Sequence, residues 1–445
     1  MEDEPILNQT NRRGSLANRI YQYLLDDEED ARVCEDIPEE ACVEVPRNFF
    51  KIGTSQTLTK LADELSNAKT VLPWLLGTIG ASAFWVGLLV PIRESASMLP
   101  QIIIGSFVRH RAIRKNVWIL GAFLQGIALI GMASAAIFLR GAGSGAVVLS
   151  LLLLFSLARG LCSVASKDVI GKTIPKRRRG RLTGFTAAFS GILTLGIGIA
   201  LVRWVGAEAS PMLFAMLLTS GTGLWFLAMG IYSSIIEMPG ATEGKRSSIR
   251  DAFKRLNILR TDTPFRRFVL VRALLISTAL AGPYYVLLAR ESGGGGELLG
   301  LFVLASGLAS ALSSAFWGRY SDRSSRSVLV TAAATASSLG LFMFVLDISG
   351  LLIGFSWIAP IAFFILAIAH SGVRIGRKTY VLDLAGGSRR TDYVSVGNTV
   401  IGAILLASGM LGTLSTFLSA SGMLLVFSLF GFLGVILGRR LPEVE

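Results

Sequence analysis

The amino-acid sequence predicts an all-α polytopic membrane protein: twelve transmembrane helices in two pseudo-symmetric six-helix bundles, behind an N-terminal cytoplasmic tail. Three observations predict it. The chain is 52% hydrophobic, only 16% charged and carries 48 glycines, a balance that few long soluble chains show. Several runs of about 20 apolar residues are each long enough to cross a bilayer. The stretch from Phe84 to Lys115 also recurs in the second half of the chain. Gly87, Leu88, Val90, Ser97, Leu99 and Gly105 return as Gly300, Leu301, Val303, Ser310, Leu312 and Gly318. A repeat of such long period marks a duplicated half rather than a solenoid.

The formal net charge of +13 raises the question of nucleic acid, and its distribution answers it. Basic residues crowd into alternate loops: Arg109 to Lys115, Lys167 to Arg181, Lys245 to Arg272, Arg319 to Arg326, Arg374 to Arg390, then Arg439 and Arg440. The intervening loops hold only isolated cations, Arg140, Arg203 and Arg290. That positive-inside pattern argues against a nucleic-acid partner and puts both termini in the cytoplasm; a bacterial inner membrane is the expected location. Cys34, Cys42 and Cys162 form no paired set, and reduced thiols are expected in a cytoplasmic tail. The opening MEDEPILNQT has no basic region ahead of an apolar core, so no cleaved signal peptide is expected.

Residues 1–53 read as an acidic, largely solvated tail, with Asp26 to Asp30 at its centre and Pro38 and Pro46 as breakers. A first six-helix half is expected over 54–235. Hydropathy alone would start it at Leu72. The repeat pairs Pro73-Trp74 with Pro283-Tyr284 and favours a helix from about Thr54 to Gly77, with an apolar stripe at Leu58, Leu61, Leu65, Ala68 and Leu72. Its other side carries Lys60, Asp63, Glu64, Asn67 and Lys69. The competing reading is a helix lying on the membrane surface. Further spans follow at Phe84–Val108, Val117–Leu139, Ala146–Ala165, Leu182–Val202 and Met212–Ser233. Residues 236–266 form a cytoplasmic connector with a basic amphipathic piece, SSIRDAFKRLNIL. The second half, 267–438, repeats the plan at Phe268–Leu288, Leu298–Trp317, Ser327–Leu346, Phe355–Gly372, Tyr393–Leu418 and Met423–Leu437, and 439–445 form a short tail.

The loop GRYSDRSSR, with Gly318, Asp322, Arg323 and Arg326, resembles the inner-loop signature of the major facilitator superfamily, in the position between the eighth and ninth spans. The two-half plan covers nearly the whole chain beyond the tail and fits the parallel repeats of such transporters. The first-half copy, GSFVRHRAIR, keeps Gly105 but has Arg109 where the family's acidic residue should stand. The resemblance implies a cytoplasmic gate at Gly105, Arg109, Gly318, Asp322, Arg323 and Arg326, with Asp322 as its only acid. It also implies that spans one, four, seven and ten line a central cavity, which would set Arg159 and His370 at equivalent places on opposite halves.

An ionisable side chain inside a span is costly unless paired or hydrated, which makes each a functional candidate. Glu64, Arg93 and Glu94 fall near the middle of their spans. A Glu64–Arg93 ion pair would leave Glu94 free to gain and lose a proton; the alternative is a fixed pair between two helices. Arg159 is a candidate for substrate charge or gating, or a snorkelling residue. His370 is either a titrating group or a neutral hydrogen-bonded imidazole. Arg272, one turn into span seven, reads as an interface anchor. Tyr284 and Tyr285 are candidates for substrate contact or for an aromatic belt, and Asp63, Asn67, Gln101 and Asn398 for polar lining.

SKDVIGKT imitates a phosphate loop, but Ser166 replaces the first glycine and no strand precedes it. No enzymatic constellation, cofactor or metal site is expected. The resulting expectation is a monomeric secondary transporter of a small organic solute, working by alternating access, coupled to protons and open to an export role. Cations in the cavity lean toward an anionic or zwitterionic solute. The alternative is a non-transporting sensor or docking scaffold acting through its acidic tail.

Overall fold

The computed structural model describes residues 37, 39–206, 209–240, 256–321, 323–385 and 390–444, which contain helices and no strand. The first half comprises α1 (Val45–Leu65), α2 (Val71–Thr78), α3 (Ala83–Met98), α4 (Gln101–Arg109), α5 (Lys115–Phe138), α6 (Ala142–Thr173), α7 (Lys176–Trp204) and α8 (Pro211–Ser233). The second comprises α9 (Thr263–Leu274), α10 (Ser277–Leu280), α11 (Gly282–Glu291), α12 (Glu297–Ser321), α13 (Ser325–Ile348), α14 (Ile358–Leu384), α15 (Arg390–Ser408) running into a 3-10 turn (Gly409–Thr416), and α16 (Ala420–Gly438). Among the described residues, nine helical stretches are long and apolar enough to cross a membrane. The pairs α1–α2 and α3–α4 are interrupted, and α12 has a shorter apolar run. The chain is an integral membrane protein.

The bundle buries small residues inside and turns large apolar ones outward. Leu120, Phe123, Ile127 and Ile130 of α5 are exposed, as lipid-facing side chains are. Glycines let the helices approach: Gly121 faces Ala158 and Cys162 of α6 so closely that an added Cβ would lie 2.8 Å from the Ala158 carbonyl oxygen. Helix α5 packs on α6 and α8, and its repeat counterpart α13 packs in the same way on α14 and α16.

The repeat also appears in two features that no periodicity signals. Helix α1–α2 breaks at Ser66–Thr70, and α9–α11 breaks around Leu275–Ile276 and again at Ala281, in each half a few residues before the paired Pro73 and Pro283. Each half also ties the start of its third helix to the segment after its sixth. Glu237 accepts hydrogen bonds from the Arg114 and Lys115 N–H groups (3.0 and 2.7 Å) and from Lys172 Nζ (2.8 Å). In the second half, Glu443 pairs with Arg326 and accepts from Ser324 Oγ at 2.5 Å.

Three expectations change. Helix α1 begins at Val45, inside the stretch read as tail. Its polar residues are satisfied by protein rather than water, which hydropathy cannot detect: Asn48 both donates to the Ile236 carbonyl (2.9 Å) and accepts from the Ile236 N–H (3.1 Å). Cys42 is disulfide-bonded, against the expected reduced thiol, because the folded chain brings a second sulfur to it whatever the composition suggests; Cys162 is free and buried. Helix α6 runs on through Ser166 to Thr173, past the expected end of its span at Ala165, and the stretch that only imitates a phosphate loop is a helix interior. The amphipathic piece of the connector lies largely outside the described residues, which resume with a short helix at Ile258–Thr261.

The halves meet along α7 and α12, and between α3 and the α15 segment. Near the end remote from the basic loops, the Arg290 guanidinium donates to the Trp74 carbonyl (3.1 Å) and lies 5.7 Å from the Trp74 ring centroid. Gly300 there sits against Val202, and Gly198 against the Leu304 backbone.

A charged cavity between the two halves

The last turn of α1 carries two adjacent carboxylates that a helix aims about 100° apart. Asp63 faces the first half and Glu64 the second. The Asp63 carboxylate is held by Arg93 Nη2 of α3 (3.3 Å) and by Arg159 Nη1 of α6. The Asp63 and Arg93 side chains are 16% and 15% exposed, so this pair is shielded; Arg159, at 37%, reaches water. The Arg93 guanidinium also covers the Phe155 ring, 4.8 Å from its centroid. Glu64 instead accepts from Ser306 Oγ of α12 (3.1 Å) and from Asn67 Nδ2 (2.9 Å). The expected Glu64–Arg93 pair is therefore replaced by Asp63–Arg93, because the rotation of α1 presents Asp63 to α3 and α6.

Asn67 then shapes the break. Its side-chain oxygen accepts from the Lys69 N–H at 2.8 Å, and its backbone carbonyl from the Leu72 N–H at 3.0 Å. A short polar side chain bonding its own backbone two residues on is a turn device, and it ends α1 here. Lys69 is delivered into the seam between the halves, next to Gly282; an added Cβ there would stand 3.2 Å from the Lys69 Cβ.

Between the halves lies a cavity of about 150 Å³. Lys69, Glu94 and Met98 line it from the first half, and Arg272, His370, Arg374, Arg377 and Leu405 from the second. His370, Arg374 and Arg377 share one face of α14, at spacings of four and three residues. This corrects the expected end of that span at Gly372: the helix continues to Leu384 and carries two arginines that had been read as loop. Arg272 is likewise no interface anchor. It is 8% exposed, donates from Nη2 to Asn398 Oδ1 (2.8 Å), and its Nε has no hydrogen-bond partner. The break after Leu274 turns this part of α9 inward. His370 is hydrogen-bonded through Nδ1 to Thr278 Oγ1 of α10 at 3.0 Å.

The remaining candidates separate from this cluster. Arg159 and His370 do not stand in like roles: Arg159 belongs to the Asp63 bridge, and His370 lines the cavity. Tyr284 and Tyr285 are 2% and 0% exposed and absent from the cavity wall; Tyr284 packs on Phe427, with ring centroids 5.5 Å apart, and Tyr285 borders a separate small void. Gln101 donates to the Ser97 carbonyl one turn back, at 3.1 Å. Of the gate residues, Asp322 and the Arg109 side chain lie outside the described residues. Gly105 and Gly318 sit within α4 and α12, Arg323 is exposed, and Arg326 is tied to Glu443 and to the Leu441 carbonyl (2.9 Å). Sequence reasoning missed Lys69, Ser306, Arg272, Arg374 and Arg377 as lining or cross-half residues. Only the His370–Arg374–Arg377 spacing offered a signal for them.

No protein-family model matches the chain. Uncharacterized proteins of Mycobacterium bovis and Mycobacterium tuberculosis are each 24% identical over 368 residues, covering 80% of this chain and 70% of the relative. Among solved structures, the inward-open xylose transporter XylE from E. coli is similar at a TM-score of 0.65 and 14% identity, covering 89% of this chain and 97% of that one. A POT family transporter in complex with 5-aminolevulinic acid is similar at 0.67 and 12%, covering 92% and 98%. FucP, a major facilitator superfamily transporter in the outward conformation, is similar at 0.54 and 14%, covering 89% and 99%. Two broken-helix halves closing over a charged cavity, similar to these structures over nearly their whole length, give this chain the fold that these transporters share.

Proposed function

We propose that the protein is a secondary active transporter of a small organic solute, working as a monomer of twelve crossings by alternating access. The observation that carries this reading is a charged cavity walled by both halves, where the first and seventh helical segments are both broken. Broken helices at a repeat interface release polar groups for binding, and rocking of the halves about that site exposes it to either side in turn.

The cycle is coupled to protons in this reading. Glu64 makes its hydrogen bond to Ser306 across the seam, so any rocking that parts α1 from α12 must break it. Glu94 lines the cavity itself. These two carboxyl groups are the proposed proton carriers, while Arg93 and Arg159, locked to Asp63, hold the first half rigid as it moves. The similarity of the fold to a D-xylose-proton symporter and a fucose:proton symporter supports the coupling. The same cycle serves uptake or export according to the gradients.

The test is reconstitution into liposomes holding an entrapped pH-sensitive dye. Addition of a transported solute from a broad panel should move protons, and Glu64→Gln should abolish that movement. A chain that accumulates or exchanges no member of the panel, while remaining folded and inserted, sinks the transporter reading.

A further inference from the structure

We infer that the cavity between the halves binds a small polyanion, a solute presenting two or more clustered anionic oxygens such as a dicarboxylate or a phosphate monoester. The inference rests on reading this cavity as the solute site. Four basic side chains line it, Lys69, Arg272, Arg374 and Arg377, against the single carboxylate of Glu94. Among the described residues, none of the four is within ion-pair distance of a carboxylate.

Of the four, Arg272 is buried, Lys69 and Arg377 are half-buried and Arg374 is exposed; elsewhere the chain pairs cations that are shielded. Asp63 holds Arg93 and Arg159, and Glu237 holds Lys172. An uncompensated charge drawn away from water is costly, so the buried Arg272 and the half-buried Lys69 and Arg377 call for an opposite charge from outside the chain, with Arg374 at the more open side. Arg272 makes the case sharpest. It is nine-tenths buried, its one hydrogen bond goes to the neutral Asn398 amide, and its Nε–H has no partner. A guanidinium edge with a free N–H suits the paired oxygens of a carboxylate or phosphate. The cavity, at about 150 Å³, is well below the roughly 300–1,000 Å³ of drug-sized pockets, so the solute is small.

Glu94 sets the sign of a second effect. As the one negative group in the wall, it opposes the polyanion, and neutralising it should strengthen binding. The two kinds of variant are thus expected to act in opposite directions, which a merely structural role would not produce.

The experiment is equilibrium binding by thermal shift and calorimetry on the full-length protein in phosphatidylcholine nanodiscs. The probes are succinate, citrate, glycerol 3-phosphate and inorganic phosphate, with xylose and choline as neutral and cationic controls. One or more polyanions should bind saturably and neither control should. Arg272→Gln and Arg377→Gln should each raise Kd by about tenfold or more, the loss of one charge-assisted hydrogen bond, and Glu94→Gln should lower it. Should Arg272→Gln fail to fold, Arg377→Gln carries the test. Selective binding of the carboxylates or of the phosphates identifies which oxygens are read, and both support the site. Binding of xylose or choline alone overturns the inference, as does a response only to added phosphatidylglycerol or polyanion binding indifferent to all three substitutions. Polyanion binding without flux in liposomes keeps the site and sinks the transporter reading; flux of a neutral solute without polyanion binding does the reverse.

Discussion

Replacing Asp63 with asparagine keeps the shape of the side chain and removes the charge that two arginines share. Arg93, 15% exposed, is left without its counter-ion, and breaking a shielded pair by deleting one partner costs about 3–5 kcal/mol. Arg159 adds little, because a side chain 37% exposed is screened and such pairs contribute only about 0–1 kcal/mol. The Phe155 face remains under Arg93 in both proteins and cancels. The net expectation is about 3 kcal/mol of destabilisation, or roughly a hundredfold in the folded-to-unfolded ratio. Thermal and denaturant unfolding in detergent would measure it, with Asp63→Asn/Arg93→Gln beside the single variants. The double variant should recover much of the loss, since the stranded charge goes with its partner. A single variant within about 0.5 kcal/mol of the native protein, or a double variant equal to the sum of its parts, refutes the reasoning.

Three further predictions concern the ties that hold or move the halves. Glu64→Gln keeps an acceptor for Ser306 but cannot release a proton, so solute exchange should persist while proton-driven accumulation disappears; retained accumulation in liposomes removes Glu64 from the coupling. Glu237→Ala strips the acceptor from two N–H groups at the start of α5 and from Lys172, and should cost about 2–4 kcal/mol in unfolding measurements, part of it recovered in Glu237→Gln. At Gly87 an added Cβ falls 2.8 Å from the Gly412 Cα, where backbones of the two halves touch. Gly87→Val should therefore hold that end apart and stop transport in a protein that still inserts. Paired spin labels at Arg140 and Leu351 should report a longer distance than in the native chain, and an unchanged distance with normal transport counts against a closing contact there.

Much of the architecture was legible because it follows from transfer free energies and from duplication. Runs such as Val117–Leu139 and Met212–Ser233 announce their crossings by length and apolarity, which are local properties. The matching of Pro73-Trp74 with Pro283-Tyr284 indicated that the first and seventh segments are equivalent, and both are broken a few residues before that proline. The first helix starts at Val45 rather than about Thr54 because Asn48 looks hydrophilic in a hydropathy window yet is buried against neighbouring helices. The sequence names part of the cavity wall, Glu94 and His370, and Asn398, which holds the lining Arg272. Arg374 and Arg377 were read as a basic loop because charge near a span end is ordinarily interfacial.

The sequence by itself determined that this is a helical membrane protein of two related halves, with several ionisable groups inside its spans. Only the tertiary structure decided how those groups divide. Asp63 and Glu64 are neighbours of like chemistry, yet one locks two arginines within a half and the other reaches across the seam. That choice depends on the phase at which α1 meets α3, α6 and α12, and on the Asn67 turn that follows. Lys69, Arg272, Arg374 and Arg377 converge from segments far apart in the chain for the same reason. Spacing along one helix predicts which residues share a face, but what that face meets is set by packing against the rest of the fold.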